Sequence, residues 1–75
     1  MSFVVNLKTF ENVKKFNGIV SGFATDVDVV SGKYKVDAKS IMGLLSLNLS
    51  KPLTVVVEDE AYFADVKNAL AEFAE

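Results

Sequence analysis

The chain contains no histidine and no cysteine. The first absence removes the side chain most often used as general acid, general base or metal ligand near neutral pH. The second removes disulfides, thiolate nucleophiles and iron–sulfur ligands. What chemistry is left must come from carboxylates, lysines, tyrosines and hydroxyls, and no pair of these has a spacing diagnostic of catalysis. Asp26 and Asp28 stand two apart on a candidate strand, yet a hard cation wants about six oxygen ligands, so they read as a solvated strand face. The expectation is a protein that is not an enzyme and binds no metal or cofactor.

An excess of charge of one sign is missing too. Eight basic and ten acidic residues leave a net charge of -2. The longest lysine run is Lys14-Lys15, which suits an exposed helical face, and the basic footprint of nucleic-acid binding is absent. No nucleic-acid partner is expected. The apolar runs Phe3 to Val5 and Leu53 to Val57 fall far short of the ~20 residues that span a bilayer. Nor does the N-terminus have the basic start and long apolar run of a signal peptide, so a cytoplasmic location without a membrane segment is expected. With one proline, six phenylalanines and 51% hydrophobic residues, the composition is that of a folded domain and not a disordered one. Its 75 residues make a single domain, 1–75. At that size one core yields only ~3–5 kcal/mol, so most apolar side chains are committed to packing.

The hydrophobic pattern divides the chain into seven elements. Phe3, Val5 and Leu7 alternate in a strand from Ser2 to Leu7, and Thr9 can cap a helix whose inner face is Val13, Phe16 and Val20. Phe10 and Ile19 flank that face, and Gly22 is the expected stop. Thr25 to Val30 and Tyr34 to Val36 read as a β-hairpin, with Gly32 supplying the positive φ of the turn. Asp37 or Ser40 opens a short helix, and Pro52 precedes a strand from Leu53 to Glu58. Asp59-Glu60 starts a last helix carrying the stripe Tyr62 or Phe63, Val66, Ala69 or Leu70, and Phe73. The order β-α-β-β-α-β-α predicts a two-layer α+β architecture.

The segment Lys39 to Leu47 places a hydroxyl at a helix start, directly ahead of five apolar side chains. Ser40 is suited to capping the helix and also to carrying phosphate there. Leu44 and Leu47, three apart, are better core candidates than Met42. An apolar patch of Ile41, Met42 and Leu45 beside a switchable charge suits a protein partner.

From Val36 through Leu47 the chain resembles the HPr family, the small phosphocarrier proteins of the bacterial sugar phosphotransferase system. The most specific match is lysine-serine-isoleucine-methionine-glycine followed by serine-leucine. Ser31-Gly32-Lys33 is similar, more loosely, to the family's asparagine-glycine-lysine turn. The likeness is good from Phe23 to the C-terminus and poor over the first third. It implies an HPr-like open-faced β-sandwich, a four-stranded antiparallel sheet of order 1-4-2-3 covered on one face by three helices.

HPr proteins carry a histidine at the start of the first helix, in a glycine-X-histidine-alanine-arginine-proline motif, and transfer phosphate through its ring nitrogen. Here Thr9 stands at or near that position, with Phe10, Glu11 and Asn12 in place of alanine, arginine and proline, and the loop before it is shorter. A phosphoryl relay needs a nucleophilic imidazole and a nearby cation; Thr9 is neither, and Glu11 repels the anion. No catalytic residue and no histidine phosphocarrier activity are therefore expected.

The resemblance implies a second site. Ser40 matches the serine that a regulatory kinase phosphorylates in Gram-positive HPr and in the histidine-lacking paralogue used in catabolite repression. That form binds a transcription regulator, and Ile41, Met42 and Leu45 align with the adjoining contact patch. The expected function is that of an HPr-like protein acting through protein contacts around its second helix and switched at Ser40. A serine kinase and a transcriptional or metabolic regulator are its expected partners. The alternative is a small-molecule or subunit-interaction module that reuses the fold without a phosphorylation switch.

Overall fold

Side chains of period two along an extended chain put β-branched residues on one face, and that face must be buried. In the computed structural model, which describes residues 1–74, this pattern yields four strands. The elements in order are β1 (Ser2–Val5), α1 (Phe10–Ser21), β2 (Val27–Ser31), β3 (Tyr34–Asp37), α2 (Ile41–Leu45), β4 (Leu53–Val57) and α3 (Phe63–Ala69). Short 3-10 turns at Glu60–Tyr62 and Ala71–Phe73 flank α3. The element order is the one expected from the hydrophobic pattern.

All strand pairs are antiparallel and the sheet order is β1-β4-β2-β3, as the family resemblance implied. β4 lies in the interior, with Val55 opposite both Phe3 of β1 and Val29 of β2. Its inward residues Leu53, Val55 and Val57 join Val5, Val27 and Val29 in the core, all at most 1% exposed. The other face of the sheet is open. There Asp28 is half-buried and its carboxylate lies 3.5 Å from Lys35 Nζ, so this aspartate pairs with a lysine on the neighbouring strand instead of merely facing solvent.

The helices cover the inner face. α1 buries Val13, Phe16 and Val20 as its spacing predicts. It ends at Gly22, whose N–H donates to the Ile19 carbonyl at 3.1 Å while the Phe23 N–H donates to the Val20 carbonyl. Gly22 has φ −79, so the stop is made in the right-handed region. In the hairpin, Gly32 has φ +58 and is the first of two loop residues between the paired Ser31 and Tyr34. Positive φ at that position alone is the pattern of a type II′ turn, which glycine adopts without steric cost.

The observed boundaries differ from the expected ones where tertiary hydrogen bonds intervene. β1 stops at Val5 because the Asn6 N–H donates to the Phe73 carbonyl at 2.8 Å and the Lys8 N–H to the Leu49 carbonyl at 3.2 Å, which turns the chain away from β4. Leu7 stays fully buried outside the strand. β2 begins at Val27 and not at Thr25. The Thr25 hydroxyl accepts from the Asp59 N–H at 3.1 Å, tying the approach to β2 to the turn after β4. The last apolar stripe is also interrupted: α3 is capped at Leu70, and the chain becomes extended at Ala74, which bridges to Val5. Val66, Leu70 and Phe73 nonetheless all reach the core, where the Phe73 ring meets Phe16 edge-on at 6.2 Å. Among the described residues no helix is long and apolar enough to cross a membrane.

Phe16 is the largest fully buried side chain. Phe16→Ala should cost ~3–5 kcal/mol, comparable to the whole net stability of a core this size. Urea unfolding followed by circular dichroism should show no cooperative transition for this variant at room temperature.

Candidate functional site

The approach to α2 is held from several sides. The Ala38 N–H donates to the Val27 carbonyl at 2.8 Å, and Ala38 itself is fully buried. The Asn17 side chain of α1 donates to the Ala38 carbonyl at 3.3 Å. Lys39 reaches back with its Nζ to the Phe23 carbonyl at 2.7 Å, while its own N–H is taken by Asp37 Oδ1 at 2.9 Å. These bonds bring Ser40 to the start of the helix in an extended conformation, φ −98 and ψ 108. Its Oγ accepts from the Gly43 N–H at 3.2 Å. Of the two expected openers, Ser40 is therefore the cap and Asp37 stabilises the turn before it.

α2 has only five residues. A helix that short is not stable on its own, so it persists because it is packed. Leu44 is fully buried and Leu47 nearly so, as their spacing predicts. Gly43 permits the close approach: a Cβ there would lie 3.3 Å from Val36 Cβ and 3.4 Å from Ser40 Oγ. On the outside, Met42 is 80% and Leu45 42% exposed, whereas Ile41 is half-buried against the core. The three patch residues thus divide into two exposed side chains and one that serves both core and surface.

Thr9 caps α1, its Oγ1 accepting from the Asn12 N–H at 3.1 Å. Asn12 in turn donates to the Leu7 carbonyl at 2.7 Å. Between them Lys8 has φ +68, a left-handed conformation that costs a non-glycine residue roughly 1 kcal/mol. The tight connection from β1 to α1 imposes it. Lys8 bonds to Leu49 in the loop after α2, whereas Ser40 stands at the start of that helix, and each of the two hydroxyls, of Thr9 and Ser40, caps its own helix.

No cluster of three or more acidic side chains able to hold a metal occurs among the described residues. The sequence contains no arginine either, so its eight cations are all lysines. Two exposed aromatics were not singled out as site residues by sequence reasoning: Phe10, 53% exposed with Lys14 Nζ 5.6 Å from its ring centre, and Tyr34, 72% exposed on the hairpin. Periodicity carries no signal for either, since Phe10 is three residues from Val13 and would by spacing face inward. Ser40→Ala should lose about 1 kcal/mol of stability, and Ser40→Asn, which keeps a capping acceptor, only a few tenths; urea midpoints read both.

A family model described as the PTS HPr component phosphorylation site matches residues 12–75. The match reaches further back than the resemblance read from the sequence and begins just after Thr9, Phe10 and Glu11. No curated protein sequence matches the chain. Among solved structures, HPr-C-His from Thermoanaerobacter tengcongensis is similar with a TM-score of 0.81 and 24% identity over 96% of this chain and 88% of that one. The phosphocarrier protein HPr from Bacillus anthracis str. Ames gives 0.78 and 21%, over 100% and 96%. A histidine-containing phosphocarrier protein from Mycoplasma gives 0.78 at only 11%, over 96% and 89%. At such identities the structural likeness establishes the fold, and the family match establishes kinship. By that match and by its 1-4-2-3 sheet beneath three helices, the chain belongs to the HPr family of the bacterial phosphotransferase system.

Proposed function

We propose that this chain is a single HPr-like domain over residues 1–75 that works without histidine phosphotransfer, through protein contacts around α2, and is regulated by phosphorylation of Ser40. The observation that carries the reading is an exposed Ser40 hydroxyl whose hydrogen bond is to a backbone N–H of its own turn, beside the exposed Met42 and Leu45. Adding phosphate there brings two negative charges and strong acceptors without disturbing a buried contact. A partner that offers a cation to the phosphate and an apolar pocket to Met42 and Leu45 gains charge-assisted bonds only in the phosphorylated state.

The composition supports the same reading from the other direction. With no histidine in the chain, an imidazole relay has no residue to run through, and Thr9 has its hydroxyl engaged as a cap with Glu11 in the first turn. Ser40 and its neighbours are then the family site whose chemistry is complete. The partners in this reading are a serine kinase and a transcriptional or metabolic regulator in the cytoplasm, and the protein itself turns over no substrate.

Mass spectrometry of the protein from its native host, grown on several carbon sources, should find phosphate on the Ser40 peptide. Phosphorylated protein and the Ser40→Asp variant should bind the regulator at least about tenfold tighter than the unmodified chain. Met42→Ala and Leu45→Ala should weaken that complex, and Met42→Ala should leave folding stability within about 0.5 kcal/mol. Absence of the phosphopeptide under every condition, together with unchanged affinities, would sink the proposal.

A further inference from the structure

A cleft of about 420 Å³ opens between the β2–β3 hairpin turn and the loop that leaves α2. Ser31, Lys33 and Tyr34 line it from the hairpin; Ser46, Asn48 and Lys51 line it from the loop. Both walls are braced. The hairpin turn is set by Gly32. On the other side Asn48 Oδ1 accepts from the Ser50 N–H at 3.1 Å and the Ser50 hydroxyl at 2.6 Å, and Ser46 Oγ donates to the Gly43 carbonyl at 2.6 Å.

The charges around the cleft are one-sided, although the chain as a whole carries eight basic and ten acidic residues. Among the described residues, the ammonium groups of five of the eight lysines have a partner, four of them a side chain and one a backbone carbonyl. Lys15 pairs with Glu72, Lys35 pairs with Asp28 and Lys39 bonds to the Phe23 carbonyl, while Lys14 and Lys67 lie over Phe10 and Phe63. Of the other three, Lys8, Lys33 and Lys51, two line this one cleft, and among the described residues no carboxylate lines it. Two lysines lining one cleft make its potential positive, and an anion seated there is attracted by both. Tyr34, 72% exposed, adds a flat ring at the rim, and the Asn48 side-chain amide still has donors to offer.

From this juxtaposition we infer that the cleft binds a small phosphate monoester bearing a planar ring, of nucleoside monophosphate size, with Lys33 and Lys51 on the phosphate and Tyr34 stacked on the ring. The volume lies in the range of small-ligand sites, and lysine ammonium groups serve phosphate as point charges. Stacking of a base on an aromatic ring tolerates any base, so the site selects for a phosphate with a flat attachment and not for one nucleotide.

The test is a titration of the ¹⁵N-labelled full chain with adenosine monophosphate, and separately with inorganic phosphate and with adenosine, followed by amide chemical shifts. Adenosine monophosphate should produce saturable shifts at Gly32, Lys33, Tyr34, Asn48 and Lys51, and bind more tightly than either fragment. The Lys33→Gln, Lys51→Gln double variant should bind about tenfold more weakly with its other amides unmoved. Tyr34→Ala should weaken adenosine monophosphate but not inorganic phosphate. Three results would each overturn the inference: no saturable shift at these amides, binding of adenosine monophosphate no tighter than phosphate, or equal binding by the lysine double variant.

Discussion

The position of β4 between β1 and β2 is the constraint on which the rest of this molecule depends. β1 and β2 are both paired to β4 and not to each other, so neither half of the sheet is joined until a strand late in the chain arrives. Its side chains Leu53, Val55 and Val57 are the middle of the apolar floor on which α1 and α3 rest. Closing such long loops costs chain entropy before the contacts are made, and the apolar burial along β4 has to offset it. The buried Thr25 hydroxyl, which accepts from the N–H of Asp59, and the Glu58 N–H, which donates to the Asp26 carbonyl, extend the same junction past the end of the strand.

The surface around Ser40 is a consequence of that sheet. α2 is too short to persist alone, and it is held by Leu44 and Leu47 beneath, by Gly43 pressed against Val36, and by the Ala38 carbonyl bonded to Asn17 of α1. With the inward side chains occupied in this way, Met42 and Leu45 have nowhere to go but outward. The Ser40 hydroxyl at the N-cap stays exposed, because its hydrogen bond is to the Gly43 N–H of its own turn while the apolar side chains beneath hold the helix to the sheet. In the proposed reading, charge added at Ser40 acts on this exposed surface and not on the buried side chains beneath it. The chain keeps this surface while its first helix begins Thr9-Phe10-Glu11, a start that supplies neither a nucleophilic ring nor a cation.

Much of this was legible before the structure. Val13, Phe16 and Val20 identified the inner face of α1, and Leu44 and Leu47 were separated correctly from Met42, because a helix repeats near every 3.6 residues and burial follows that repeat. Ser40 and Thr9 were readable as caps for a local reason as well: the bond runs to a backbone N–H three residues on. Less legible were the ends of elements. Leu7 was placed in β1 by alternation and is as buried as expected, yet the strand stops at Val5 because its neighbours bond to Phe73 and Leu49. The interruption of the final helix at Leu70 has the same origin, a bridge from Ala74 to Val5 at the far end of the chain.

The amino-acid sequence by itself determined the kinds of element, their apolar faces, the two caps and the absence of any imidazole chemistry. Each of these is a property of a residue or of its neighbours within a few positions. Periodicity did not yield the sheet order, which came from family resemblance and was then observed. Only the tertiary structure brought Lys33 of the hairpin and Lys51 of the α2–β4 loop around one cleft, left Phe10 and Tyr34 outside the core, and put Lys8 in a left-handed turn. The physical reason is that periodicity states which side of an element avoids water. Which distant segment covers that side is settled by the packing of the whole chain.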